Sequence, residues 1–174
     1  MSWIMTVEGT TFNFEHPELS TYTIESIAHA LSNVCRYAGH CRYFYSVAQH
    51  SVYVSFHVPP DQALAALLHD AAEAFIHDIS RPLKAMLPDY RVIEKRVEHS
   101  IFDHFGVPRE LTPEIHHADH VMLATEKRDL MPLTTLWHVP VEILPDPCPI
   151  RPWSPDMAKI EFLTRYHDLV RLRT

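Results

Sequence analysis

Four residues stand where an ordinary protein core would not tolerate them. His50 has Val47 at i−3 and Val54 at i+4, and Asp119 has Ile115 at i−4, Met122 at i+3 and Leu123 at i+4. Each places an ionisable group on the apolar face of a helical pattern. His69 and Asp70 lie within ALAALLHDAAEAFI, among small apolar neighbours that allow close packing. Burying an ionised carboxylate is costly unless a cation answers it. No Lys or Arg lies within four residues before Asp119 or seven after it. A lone histidine on a core face can be a satisfied core residue, and a His-Asp pair can be a buried hydrogen-bonded pair. As one set on three helices, however, two imidazoles and two carboxylates make a mixed nitrogen–oxygen ligand group. Such a group suits Mn, Fe, Co, Zn or Mg, with positions left for water and substrate.

The His-Asp dipeptide by itself carries no weight. Chance gives about one in a chain this rich in both residues, and three occur: His69-Asp70, His77-Asp78 and His167-Asp168. The last lies on a terminal amphipathic pattern and reads as surface. Glu73, at i+4 from His69 and i+3 from Asp70, shares their helix face. There it is placed to exchange a proton with a water or a leaving group. Arg36 and Lys84 can answer a phosphate charge, although such residues are just as ordinary on a solvated surface. Cys35, His40 and Cys41 are too crowded to close a tetrahedral soft-metal site. His117 and His120 read as outer partners of Asp119, and Tyr43, Phe44 and Tyr45 read as core.

The elements that must position these groups are mostly helical. Residues 3–14 alternate weakly around Glu8-Gly9, as in a short β-hairpin. Thr23 caps a helix in which Ile24, Ile27, Ala28, Leu31 and Val34 recur at helical spacing, and Gly39 breaks it. Residues 44–57 read as a helix, with strand as the alternative because of their β-branched content. Pro59-Pro60-Asp61 opens a third helix that runs through the Ala/Leu-rich segment to Asp78. Pro82 and Pro88 bracket a short helical turn. Helices over 89–105 and 113–130 follow, the second started by Thr112 and Pro113. Seven prolines in 131–155 predict an extended, packed-down segment, after which Ser154-Pro155 starts a last helix to 171. The expected fold is all-α with a small N-terminal β-hairpin, as a single domain over 1–174: hairpin 1–14, metal-binding helical core 22–130, and Pro-rich segment plus terminal helix 131–174.

Composition excludes several function classes. At 174 residues, 47% hydrophobic and 21% charged, the chain is long enough and apolar enough for one full core. Fifteen Lys+Arg against 22 Asp+Glu give a net charge of −7, which disfavours a nucleic-acid polymer as partner. A nucleotide-sized anion needs only a few local cations or a metal. Three cysteines without C-x-x-C spacing exclude a disulfide scaffold. There is no apolar run long enough for a membrane span and no basic segment before an apolar one, so neither membrane association nor secretion is expected. With only 3 glycines, glycine-loop nucleotide folds are excluded.

The order H…HD…D, carried by QHS at 49–51, LLHDAAEA at 67–74 and HAD at 117–119, resembles the HD-domain phosphohydrolases. The likeness runs along nearly the whole chain. It is closest to small bacterial and phage members with a CRYAGH–FYSVAQHS segment, a HDAAEA–RPLK segment and a terminal WSP helix. Members include 5′-deoxynucleotidases and phage dATP triphosphohydrolases. The resemblance implies an HD-domain helical bundle with His50, His69, Asp70 and Asp119 as ligands of a divalent metal ion. It implies Glu73 as acid/base glutamate and Asp78 as a second acid near the attacking water. Arg36 then matches a phosphate- or sugar-contacting arginine, Tyr37 an aromatic against the substrate, and His40 a pocket residue. Lys84 matches a phosphate contact and Pro82 a wall near the base. Where relatives often have Lys three residues before the last Asp, this chain has His116, whose neutral imidazole would hold a polyphosphate less firmly. The activity implied is metal-dependent hydrolysis of 2′-deoxynucleotide mono- or triphosphates, by a homo-oligomer (dimer or larger) in the cytoplasm, the host's if phage-encoded. A nucleotide sensor or structural module on the same fold is the alternative. Having both Glu73 and Asp78 favours catalysis, since a pure binder needs neither.

Overall fold

The computed structural model describes residues 2–132 and 142–173. Strands β1 (Trp3–Met5) and β2 (Thr11–Asn13) pair antiparallel with Ile4 opposite Phe12. Their turn closes through Gly9, whose N–H donates to the Thr6 carbonyl at φ +76°, a conformation that favours glycine. The hairpin expected around Glu8-Gly9 is therefore present, and the rest of the described chain is mostly helical.

Helix α1 (Ile24–Asn33) starts at a reciprocal cap: the Thr23 side chain accepts from Ser26 N–H and the Ser26 side chain from Thr23 N–H. Its Ile24, Ile27, Ala28 and Leu31 are buried, as their spacing predicts. Helix α2 (Val47–Phe56) is shorter than the 44–57 range expected from sequence. The Ser46 hydroxyl caps it by accepting from Gln49 N–H, and Ser46 pairs with Cys35 in an antiparallel bridge. Backbone bonds Arg36 N–H to Tyr45 and Val47 N–H to Val34 hold residues 45 and 46 extended. Of the three aromatics expected in the core, only Tyr45 is buried. Tyr43 and Phe44 ride out on the preceding turn and are exposed.

The Ala/Leu-rich stretch does not form the single helix to Asp78 that its composition predicts. It divides into α3 (Ala63–Leu68) and α4 (Glu73–Ile76). Between them the backbone bonds tighten to i→i−3: Ala71 to Leu68, Glu73 to Asp70, Ala74 to Ala71 and Phe75 to Ala72. One cause is visible at the break. The His69 side chain donates Nδ1–H to the Ala66 carbonyl at 2.7 Å, competing for the acceptor that an unbroken helix would use.

Helices α5 (Arg81–Lys84), α6 (Pro88–Phe105), α7 (Pro113–Leu130) and α8 (Pro155–Arg171) lie close to their expected ranges. Thr112 caps α7 and Ser154 caps α8, each hydroxyl accepting a backbone N–H three residues on. Of the Pro-rich segment, residues 133–141 lie outside the described residues. Residues 142–154 have no regular structure and pack down on α2 and α7. Gln49 Nε2 donates to the Arg151 carbonyl (2.8 Å) and its Oε1 accepts from Trp153 N–H (2.9 Å), while Asp129 accepts from Ile150 N–H.

Helix α2 occupies the centre, touching α1, α3, α7 and α8. It is buried nearly all round, which is why its sequence mixes valine with small polar residues and shows no single apolar stripe. His50 is carried by this helix, Asp119 by α7 beside it, and His69-Asp70 by the break after α3. Among the described residues, no helix is long and apolar enough to cross a membrane.

Hydrogen bonds between Glu8, Thr10 and Asn13 and residues 20–23 join the hairpin to this frame, and an aromatic stack ties it to α4. Phe12 is fully buried and stacks on Phe75 of α4, centroids 3.7 Å apart with planes at 9°. Phe75 lies two residues after Glu73, so the hairpin backs the helix that carries it. Phe12→Ala is expected to cost about 3–5 kcal/mol, read as a lower urea midpoint with an unchanged m-value. A change below about 1 kcal/mol would show that the stack does not anchor the hairpin.

Candidate metal centre

His50, His69 and Asp119 converge so that one ligand atom from each lies within 4.8 Å of the other two. His50 Nε2 is 3.2 Å from Asp119 Oδ1 and 3.7 Å from Asp70 Oδ2, and His69 Nε2 is 3.3 Å from the same Asp70 oxygen. With bonds near 2.0–2.2 Å to one ion, neighbouring ligand atoms stand roughly 3.0–3.5 Å apart. Two of these edges fall within that range and the third just beyond it. All four residues that the sequence singles out are thus brought together.

The tautomers are set from behind. His69 Nδ1 faces a backbone carbonyl, which can only accept, so Nδ1 carries the hydrogen and Nε2 presents a lone pair to the centre. His50 Nδ1 lies 2.6 Å from Oε1 of Glu126, again an acceptor when ionised. Both Nε2 atoms are buried and have no hydrogen-bond partner among the described residues. Two bare imidazole nitrogens aimed at carboxylates are what metal ligands with oriented outer partners require.

Charge supports the same fit. Burial opposes ionisation of Asp70 and Asp119, yet His69 and His50 outweigh it and hold both well below the usual carboxylate range. Glu126 is fully buried, and Arg36 and His50 lower it despite that burial. Three ionised carboxylates then surround one buried guanidinium, leaving two negative charges when both histidines are neutral. Without an ion, protons must answer them. His50, disfavoured as a cation by burial and Arg36, is nevertheless pushed up to about 9 by Glu126 and Asp119. His69 is raised against its burial by Asp70. A divalent cation would supply the same two charges through the bare nitrogens and the carboxylate oxygens.

Glu73 opens α4 beside this group. It is buried, its Oε2 has no hydrogen-bond partner among the described residues, and Lys84 Nζ stands 3.7 Å from Oε1. Burial first, then Asp70 and Asp78, push its pKa well above the usual carboxylate range. Glu73 is thereby biased toward its protonated form, while Asp70 is held toward its ionised form. Lys84 divides its charge between Glu73 and Glu94, the latter at 2.5 Å. Asp78 is half-buried and near enough to act on both Glu73 and Arg36. Arg36 is buried, donating Nε to Glu126 (3.2 Å) and Nη1 to Asp70 (3.4 Å).

Other expected residues fare differently. The Tyr37 hydroxyl donates to Glu126, so its polar end points into the protein and away from any ligand outside it. His40 is exposed at the end of the turn after Arg36, Pro82 is exposed on α5, and His116 is exposed on the first turn of α7. No side-chain hydrogen bond or ion pair joins those three to the centre among the described residues. His167 and Asp168 are exposed, as expected.

Sequence reasoning missed Glu126. Its signal was an acid at i+7 from Asp119, two turns along the same face of α7 and one turn beyond buried Met122. The three described non-glycine residues with left-handed φ, Tyr37, Ala38 and His77, all adjoin site groups in the chain. The Tyr90 hydroxyl of α6 braces the last of these turns by donating to the Ile76 and His77 carbonyls. Strain of this kind persists only where surrounding contacts hold it.

No family model matches the chain. It is 41% identical over 176 residues to the uncharacterized protein YfdR of Escherichia coli, covering 99% of this chain and 98% of that protein. An uncharacterized protein of Rhodobacter capsulatus is 29% identical over 189 residues, covering 98% of this chain and 96% of its own.

Arg36 supplies the charge that keeps Glu126 ionised inside the fold. Arg36→Met is expected to cost about 3–5 kcal/mol at neutral pH, because it strands a buried carboxylate. In the wild type, the depressed Glu126 contributes stability that is complete above the unfolded glutamate range and lost as pH falls through the folded value. In the variant, His50 and the Tyr37 hydroxyl still lower Glu126 but Arg36 no longer offsets its burial, so its pKa rises relative to wild type and the deficit should shrink as pH falls and the group takes a proton. Denaturant titrations of both proteins between pH 7 and 5 test this. A deficit that is constant with pH would place its origin in packing.

Proposed function

The chain belongs to the family of YfdR, and from its charge-deficient His–Asp centre we propose that it is a metal-dependent phosphohydrolase of the HD-domain type acting on 2′-deoxynucleotides. The observation that carries this reading is the pair of buried imidazoles whose Nε2 atoms, without a hydrogen-bond partner among the described residues, face the carboxylates of Asp70 and Asp119, next to a buried glutamate biased toward its protonated form. His50, His69, Asp70 and Asp119 would hold a divalent ion of the Mn, Co, Zn, Mg or Fe kind. When bound, such an ion lowers the pKa of a water toward neutrality and polarises a phosphoryl oxygen.

The chain's own residues would do the remaining work. Arg36 and Lys84 supply positive charge for a phosphate. Asp70 and Asp119 have side chains about a quarter exposed, so the centre is open on their side to water and an anion. Asp78 is placed to orient the water that attacks phosphorus. A protonated Glu73 would give its proton to the departing ester oxygen and recover one from the attacking water. One P–O bond forms from water, one ester bond breaks, and the proton ends on the nucleoside or on released phosphate. Where similar proteins often have Lys this chain has His116, which would hold a polyphosphate less firmly and favours a monophosphate. The homo-oligomer and the cytoplasmic setting are part of the same proposal and rest on the family resemblance.

A panel of metal-loaded protein (Mn, Co, Mg, Zn) with deoxy- and ribonucleoside mono- and triphosphates tests the reading. Deoxynucleoside and orthophosphate from the monophosphates are expected. Tripolyphosphate or stepwise phosphate release from dATP would move the substrate to triphosphates. Tight metal and nucleotide binding without turnover would make the protein a sensor. Glu73→Ala is expected to lower turnover by about 10²–10⁴-fold with metal retained, and Asp119→Ala to lose the metal. Full metal content in the Asp119 variant would sink the ligand set.

Metal affinity should also rise with pH. His50 must shed its proton to bind the ion, and in the metal-free protein it keeps that proton up to about 9. The stability this gives the metal-free fold is complete below the unfolded histidine range and lost as pH rises through about 9. Affinity should therefore climb by about tenfold per pH unit from this group alone, levelling near pH 9, as followed by Co(II) titration. A flat profile between pH 6 and 8 would exclude His50 as a ligand.

A further inference from the structure

Glu126 is the one fully buried carboxylate of the centre, and its two oxygens are committed to different partners. Oε1 takes the Nδ1–H of His50 at 2.6 Å. Oε2 takes Arg36 Nε at 3.2 Å together with the Tyr37 hydroxyl. Arg36 then reaches round with Nη1 to Asp70 Oδ2, 3.4 Å away, and that oxygen lies 3.7 Å from His50 Nε2. The contacts form a closed ring: Glu126, His50, Asp70, Arg36 and back. A carboxylate that merely neutralised Arg36 would have no need of His50, and one that merely oriented His50 would have no need of Arg36 and Tyr37.

The turn on the arginine side is strained. Tyr37 and Ala38 have φ of 58° and 51°, a conformation that L-residues adopt at a cost, and Tyr37 is bulky. Its hydroxyl bond to Glu126 and the Arg36 ion pair are contacts that fix this turn from inside. Helix α7 places Glu126 two turns from Asp119, so the same helix delivers a candidate ligand and the group that sets its neighbour.

We infer that Glu126 is a positioning residue that couples the Arg36–Tyr37 turn to the imidazole of His50, so that the anion-facing and metal-facing sides of the centre are set by one carboxylate. This rests on the reading of the centre as a metal site. It extends that reading by making residues outside the ligand set determinants of metal affinity through Glu126.

The test is a double-mutant cycle read as Co(II) affinity, by absorption and competition, with no turnover assay. Wild type, Glu126→Gln, Tyr37→Phe and the double variant are compared at one pH, with folding checked by circular dichroism. Glu126→Gln is expected to bind Co(II) about 10–100-fold more weakly. Tyr37→Phe should weaken binding about threefold or more in the wild-type background and leave the Glu126→Gln background unchanged, the non-additivity expected of groups acting through one another. Glu126→Asp, which keeps the charge, should recover part of the loss.

Wild-type affinity in Glu126→Gln, or an equal effect of Tyr37→Phe in both backgrounds, overturns the coupling and leaves the metal reading intact. A wild-type protein that takes up no Co(II) overturns both. If Glu126→Gln fails to fold, Tyr37→Phe decides alone: folded protein with undiminished affinity overturns the coupling.

Discussion

A buried imidazole with one nitrogen bonded and the other bare is a liability in a helical core, and this protein has two of them pointing at each other's carboxylates. Everything around them is organised by that arrangement. Helix α2 is buried on nearly every side because it must carry His50 into the middle of the bundle. The break between α3 and α4 turns His69 so that its Nδ1 meets a carbonyl and its Nε2 meets the centre. Helix α7 brings Asp119 to the front and Glu126 to the back. The charge left over from three carboxylates and one guanidinium raises both histidines above the usual imidazole range and favours protons on them. A divalent ion in the same place would displace those protons.

The helices were legible in the sequence where capping and apolar spacing agreed. Thr23, Thr112 and Ser154 each start the helix that their side chains cap. The four centre residues were legible for a different reason, as ionisable groups that contradict their apolar surroundings. What could not be read was structure made by competition between a side chain and the backbone. Alanine and leucine propensity predicts one unbroken helix through His69, and nothing in that composition signals that the imidazole will take a carbonyl from the ladder. The early start assigned to α2 failed similarly. Phe44 and Tyr45 fit a helix by residue type, but Ser46 is the better cap and the strand-like bridge to Cys35 holds the residues before α2 extended. Glu126 was hidden because an acid near the end of a charged helix, followed by Lys127, Arg128 and Asp129, looks like solvated surface.

Two kinds of reinforcement keep the centre in shape. One is aromatic and remote: the stack of Phe12 on Phe75 supports α4 from the side away from its glutamate. The other is polar and close: Tyr90 braces the turn at His77, and Gln49, next to His50 in the chain, pins residues 151 and 153 over α2. Both act on backbone that carries or adjoins the groups of the centre.

The two histidines differ in where their orientation is stored. His69 is aimed by the carbonyl of Ala66, and every amino acid possesses that carbonyl. Any residue small enough for the packing at position 66 would preserve the aim, so this half of the centre is insulated from substitution. His50 is aimed by a side chain, and one codon change at position 126 can alter its charge, length or hydrogen bonding. The centre thus has a fixed half and an adjustable half. An ion held there as proposed would be retuned most simply, without rebuilding the fold, by substitution at position 126.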